Sequence, residues 1–154
     1  MLWVTLLAEV LGSESLAALR VEHPEVRYSH GFLFQQLVEG PRPVGEIADN
    51  LGVTSQAVSK MVRELEALGY VDRTPAPEDA RVRLVALSSR GRAVIAAGRD
   101  QRARVNRELA AVLGEARVFA AAKTLKAALE ARGAMPQVRS RRVRSAQGLL
   151  DDGR

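Results

Sequence analysis

Gln56, Ser59, Lys60 and Arg63 recur at i, i+3, i+4 and i+7, which places an amide, a hydroxyl and two cations along one side of a helix. Val58, Val62, Leu65 and Leu68 fall on the other side as an apolar stripe. Glutamine can bond adenine through both of its polar atoms, and arginine or lysine can bond O6 and N7 of guanine. Hydroxyls such as those of Thr54 and Ser55, at the start of the segment, suit phosphates. The set is therefore one that could read duplex DNA. The plain alternative is a solvated helix face.

Such a helix needs a partner to hold it. In VGEIADNLGVTSQAVSKMVREL, Ala48 stands where two helices would approach most closely, and Gly52 takes the turn four residues later. Val58 and Met61 follow at a spacing that packs the second helix onto the first, against Ile47 and Leu51. Small, turn and apolar requirements agree throughout. They predict a helix-turn-helix with helices over 44–51 and 54–68, stopped at Gly69. YVDRT and RVRLVAL then read as two strands joined through Pro-Ala-Pro-Glu-Asp, a hairpin carrying Arg73, Asp79, Arg81 and Arg83 around its tip.

The run Pro77-Glu78-Asp79-Ala80-Arg81, then Leu87-Ser88-Ser89-Arg90-Gly91, resembles the wing of the MarR family of winged helix-turn-helix transcription regulators. LEALGYVDR, Leu65 to Arg73, matches the family's passage into that wing. The order of elements agrees from about Tyr28 to Leu129, with specific motifs only over Val44 to Gly91. The resemblance implies a homodimer that binds double-stranded DNA at a pseudo-palindromic operator and regulates transcription, with repression the expected sense. It implies that Arg81 enters the minor groove and that Asp79 orients it by a salt bridge; an ordinary surface ion pair is the alternative. Ala80 departs from the family, which often has a second arginine there, so some wing affinity is expected to be either lost or moved to Arg83. The resemblance also implies a small phenolic or aromatic effector bound near Tyr28, His30, Phe32 and Phe34. Aromatics on a helix are more often core, and His30 is expected at the surface or hydrogen-bonded. A competing reading keeps the fold but makes it a small-molecule-binding or protein-interaction module without an operator.

Charge fits an anionic partner without demanding one. The 154 residues hold 23 basic and 18 acidic side chains, a net +5, and only Lys60, Lys123 and Lys126 are lysines. From Arg81 to Arg107 arginines face a single acid, Asp100; Arg90 and Arg92, nearest the wing, are the expected phosphate contacts. The chain has no cysteine and two histidines, His23 and His30, which leaves thiolate chemistry without a nucleophile and zinc without its usual ligands. No phosphate-binding loop or His-carboxylate cluster is present either, so no enzyme activity, cofactor or metal is expected. No apolar run approaches the ~18 residues of a membrane span. MLWVTLLAEVLG lacks the basic start of a signal peptide. The expectation is a cytoplasmic protein without a membrane partner.

The fold class that follows is mainly α with a small β-hairpin wing, a winged helix-turn-helix flanked by N- and C-terminal dimerisation helices. Residues 26–91 form the expected DNA-binding domain. Residues 1–25 and 92–132 form the dimerisation region, with helices over 2–19 (interrupted at Gly12-Ser13), 26–39, 91–113 and 115–132. Leu2, Trp3, Leu6, Val10, Val118, Phe119, Ala122, Leu125 and Leu129 are the interface candidates; a larger monomeric core is the alternative. Residues 133–154, with Arg139, Arg141, Arg142 and Arg144, read as a disordered tail.

Overall fold

The computed structural model describes residues 2–79 and 81–134, so Ala80 and the Arg-rich segment beyond 134 lie outside the described residues. The order is α1 (Leu2–Arg20), α2 (Tyr28–Gln36), β1 (Arg42–Pro43), α3 (Val44–Leu51), α4 (Ser55–Ala67), β2 (Val71–Pro75), β3 (Arg83–Leu87), α5 (Ser89–Leu113) and α6 (Glu115–Ala131). The fold is mainly helical, with one three-stranded antiparallel sheet in the order β1-β3-β2. The chain divides into two units. One comprises residues 29–93; the other comprises residues 1–28 and 94–134.

In the first unit α2, α3, α4 and the sheet share one core. Leu33, Phe34, Ile47, Ala48, Leu51, Val58, Val62, Leu65, Tyr70, Val71, Val85 and Leu87 are all buried. Ala48 lies at the α3–α4 approach, where a larger side chain would force the helices apart. Gly52 closes α3 in the left-handed region (φ 68°), and the Val53 amide donates to the Ala48 carbonyl. At the far end of α4, Gly69 (φ 74°) lets the Tyr70 amide donate back to Leu65 O at 2.8 Å, while its own amide donates to Glu66 O. Both bonds of a Schellman stop are made, and Tyr70 is fully buried behind it.

The hairpin is a sheet of three strands rather than two. Arg42 and Pro43 pair with Val85 and Leu84 on the open side of β3, where a proline's missing N–H costs no ladder bond. By composition alone, Gly40-Pro41-Arg42-Pro43 is a helix stop. Arg42 supplies the rest: its Nε donates to Gln36 O at 2.7 Å, and its guanidinium pairs with Glu39 and Glu46. The strand is fixed by side-chain bonds that no propensity records. α2 is also shorter than the expected 26–39, because residues 37–39 are already in turns.

In the second unit, α5 buries Val94, Ile95, Gln101 and Val105. α1 and α6 bury no residue at all. α1 passes through Gly12 and Ser13 without a break, since glycine in a helix costs only about 1 kcal/mol. One sequence expectation is corrected here. α1 is long and apolar enough to cross a membrane by length and composition, although Glu9 and Glu14 interrupt its apolar run. A count of consecutive apolar residues missed this because it stops at the first carboxylate.

Candidate nucleic-acid interface

α4 is held at both ends before it presents anything. Thr54, in extended backbone, caps it by accepting from the Ala57 amide at 3.2 Å. Its inner face, Val58, Val62 and Leu65, is buried in the first unit's core. Thr54, Ser55, Gln56, Lys60 and Arg63 are exposed on the outer side, with Ser59 half-buried among them. No side-chain hydrogen bond or ion pair engages Gln56, Lys60 or Arg63 among the described residues. Two cations and an amide thus stand uncommitted on one helix face.

β2 and β3 pair from Val71–Leu87 to Pro75–Arg83, and residues 76–82 form the loop beyond. The loop is tied by Ala76 N–H to Val82 O at 2.8 Å and Val82 N–H to Asp79 O at 3.0 Å. Arg81 and Arg83 are exposed, and their guanidinium groups have no partner among the described residues. Asp79 does contact Arg81, but by accepting from its backbone amide at 2.9 Å. The expected side-chain salt bridge is not formed. A short acid two residues ahead of an amide closes an Asx turn more easily than it reaches a guanidinium.

Arg73 is not at the tip. It lies mid-strand opposite Val85, and its Nε sits 3.1 Å from Glu66 Oε2 on α4. That approach lacks hydrogen-bond alignment; Nε and Nη2 are both buried without a hydrogen-bond partner among the described residues. Arg90 and Arg92 are likewise turned to the protein. Arg90 donates to Leu68 O and stacks 4.3 Å over the Tyr70 ring. Arg92 donates to Leu87 O at 2.7 Å and to Ser89 Oγ at 3.1 Å. Each closes a carbonyl at an element's end, so their first role is structural.

The Leu-Ser-Ser-Arg-Gly run has a physical basis too. Ser88 Oγ accepts from the Gly91 amide at 3.1 Å, capping α5, and donates to Gly69 O at 2.7 Å. A Cβ at Gly91 would stand 2.2 Å from Tyr70 O, so only glycine lets α5 start this close to β2.

The aromatic set divides between core and surface. His30 and Phe34 are fully buried in the first unit's core, edge to face at 6.4 Å, with Phe34 5.9 Å from Tyr70. His30 is therefore a core histidine rather than a surface one, its Nε2 3.9 Å from Glu64 Oε1. Tyr28 is exposed and Phe32 half-buried.

Residues 31–82 match the sequence profile of the MarR family. The chain carries a MarR-family winged helix. A transcriptional regulator of Thermotoga maritima superposes with a TM-score of 0.63 at 26% identity, covering 83% of this chain and 94% of its own. The transcriptional repressor CouR, solved bound to a 23-mer DNA duplex, gives 0.61 at 25% identity over 80% and 87%. A protein of Mycobacterium tuberculosis gives 0.70 at 24% identity over 84% and 89%, a likeness of fold. No curated protein sequence matches this chain significantly. The MarR-family match spans α3, α4, β2 and the wing loop, and includes Lys60, Arg63 and Arg81 but not Arg83.

Proposed function

We propose that this MarR-family chain is a transcriptional repressor that binds double-stranded DNA as a homodimer, with α4 along the major groove and Arg81 in the minor groove. The observation that carries the reading is the uncommitted row Gln56, Lys60 and Arg63 beside a wing whose Arg81 and Arg83 are equally uncommitted. Desolvating cations already paired within the protein would cost that pairing; these lose nothing but water and counterions. The repressor CouR, similar in fold, was solved on a DNA duplex.

A second copy supplies what α1 and α6 lack. Leu2, Trp3, Leu6 and Val10 on one, and Phe119, Leu125 and Leu129 on the other, are all exposed apolar side chains. Two uncovered helices from one unit are the pattern of an interface cut in half. A bilayer would cover α1 alone and would take in Glu9 and Glu14 at a cost of several kcal/mol. Residues 29–93 then read DNA and the other unit dimerises. His30 and Phe34 are spent on the core, so an aromatic effector would meet Tyr28 and Phe32 instead.

The test is binding to a duplex taken from upstream of the protein's own gene, followed by anisotropy across a salt series. Affinity is expected to fall steeply, with log K against log salt sloping about −0.9 per phosphate neutralised. Arg81→Ala should weaken binding about tenfold or more at about 150 mM salt. Unchanged affinity removes the wing from the interface. A dimer that shifts no specific sequence favours the interaction-module reading instead.

A further inference from the structure

We infer that Glu66 and Arg73 form a positioning pair that sets the wing against the recognition helix, so that the contact of Arg81 with DNA depends on Glu66. The inference rests on the DNA-binding reading above. It moves Arg73 from the DNA surface to the frame behind it.

The placement comes from the helix itself. Ser59, Arg63 and Glu66 follow at i, i+4 and i+7, one row along the side of α4 that bears the uncommitted cations. At the end of the row the Glu66 carboxylate meets Arg73 Nε at 3.1 Å. Arg73 stands in the middle of β2, opposite buried Val85, two residues before Pro75 pairs with Arg83 at the loop's mouth. A charge on the reading helix is thus tied to the strand that carries the wing outward. The backbone joins α4 to β2 through the turn at Leu68-Gly69-Tyr70, and the β1–β3 ladder and the Ser88 N–H to Tyr70 O bond hold the hairpin's inner half, which leaves the outer half of β2 to side chains. Arg90 and Gly91 fasten the root of β2 at Leu68 and Tyr70; the Glu66–Arg73 pair is the fastening further out.

Arg73 is also poorly placed to touch DNA directly. Its Nε and Nη2 are buried, while Arg81 and Arg83 stand exposed beyond it. The burial of a cation beside one carboxylate, with a donor left over, is what a strut looks like rather than a phosphate contact.

The experiment is a double-variant cycle on the full chain. Glu66→Gln is expected to weaken operator binding about fivefold, and Glu66→Gln with Arg81→Ala to match Arg81→Ala alone within about twofold. Arg73→Gln should behave as Glu66→Gln does, and should leave the salt slope unchanged when added to Arg81→Ala. Effects that multiply independently, or a slope that falls by about one, mean that Arg73 contacts DNA itself, and overturn the inference. Hydrogen exchange without DNA gives the second arm. In Glu66→Gln the Ala76 and Val82 amides, which tie the wing loop, should exchange about threefold faster or more, while the Val53 amide in the α3–α4 turn is unchanged. Unchanged wing exchange overturns the inference even if the protein binds DNA. Should the wild type bind no operator, the functional reading fails, and the exchange result alone decides whether the pair holds the wing.

Discussion

α4 and α6 are both helices of this one chain that carry large apolar side chains, and they end in opposite conditions. α4 places Val58, Val62 and Leu65 in a core built by its own unit and leaves its polar side uncommitted. α6 buries nothing, with Phe119 72% exposed and Leu125 and Leu129 open to solvent. The first helix is finished by its chain; the second is unfinished until something covers it. Under the proposed homodimer, the first helix belongs to a core completed within one chain, and the second to a surface completed only by a second copy. Breaking the finished side gives the largest effect. Phe34→Ala empties a fully buried site against His30 and Tyr70, and should cost about 3–5 kcal/mol of unfolding free energy, read by denaturant titration. Were Phe34 instead the wall of an open ligand pocket, the loss would be small.

On the unfinished side the same chemistry should act on association. Phe119→Asp puts a carboxylate where an apolar side chain is offered to solvent, so the single chain loses no packing. A dimer would lose an aromatic anchor and bury a charge, about 2 kcal/mol or more of association free energy. Light scattering after gel filtration should show dimer for the wild type and monomer for Phe119→Asp at micromolar concentration, with helix content by circular dichroism retained. A monomeric wild type would end the comparison, because α6 would then be exposed in the working protein.

How much of this was written in the sequence depends on whether the cause was local. α3, α4 and both hairpin strands were legible because each boundary has a residue that acts on its own backbone: Gly52 and Gly69 in the left-handed region, and Thr54 capping its own helix. The outward row of α4 was legible for the same reason, since helical spacing alone sorts its faces. β1 was not legible, because Pro43 becomes a strand only when Arg42 finds Gln36, Glu39 and Glu46. Arg73 was misplaced at the tip because every arginine near a hairpin reads alike until the partner across it, Glu66, is known. Arg90 and Arg92 follow the same rule, their carbonyl acceptors lying well back along the chain for Arg90 and at the end of β3 for Arg92. For His30 the sequence leaves surface and hydrogen-bonded positions open, and only its burial in the fold decides between them.

The smallest effect concerns how the two helices begin. α4 has a side-chain cap, Thr54 Oγ1 accepting from Ala57 N–H; α6 starts at Gly114 with none, in a backbone conformation (φ 89°) that side-chain-bearing residues rarely adopt. Thr54→Ala should therefore lower stability by about 1 kcal/mol, and Thr54→Ser, which keeps the hydroxyl, should restore most of it. The hydroxyl is also exposed at the start of the reading helix, so the two variants separate capping from contact. If the cap is its whole role, Thr54→Ala weakens operator binding only as far as frayed first-turn residues Ser55 and Gln56 are mispositioned, and lower temperature recovers the affinity. If the hydroxyl also meets a phosphate, the affinity loss persists at temperatures where the helix is fully formed. An unchanged melting temperature for Thr54→Ala would mean that α4, like α6, starts without help from a side-chain cap, and this difference between the two helices would disappear.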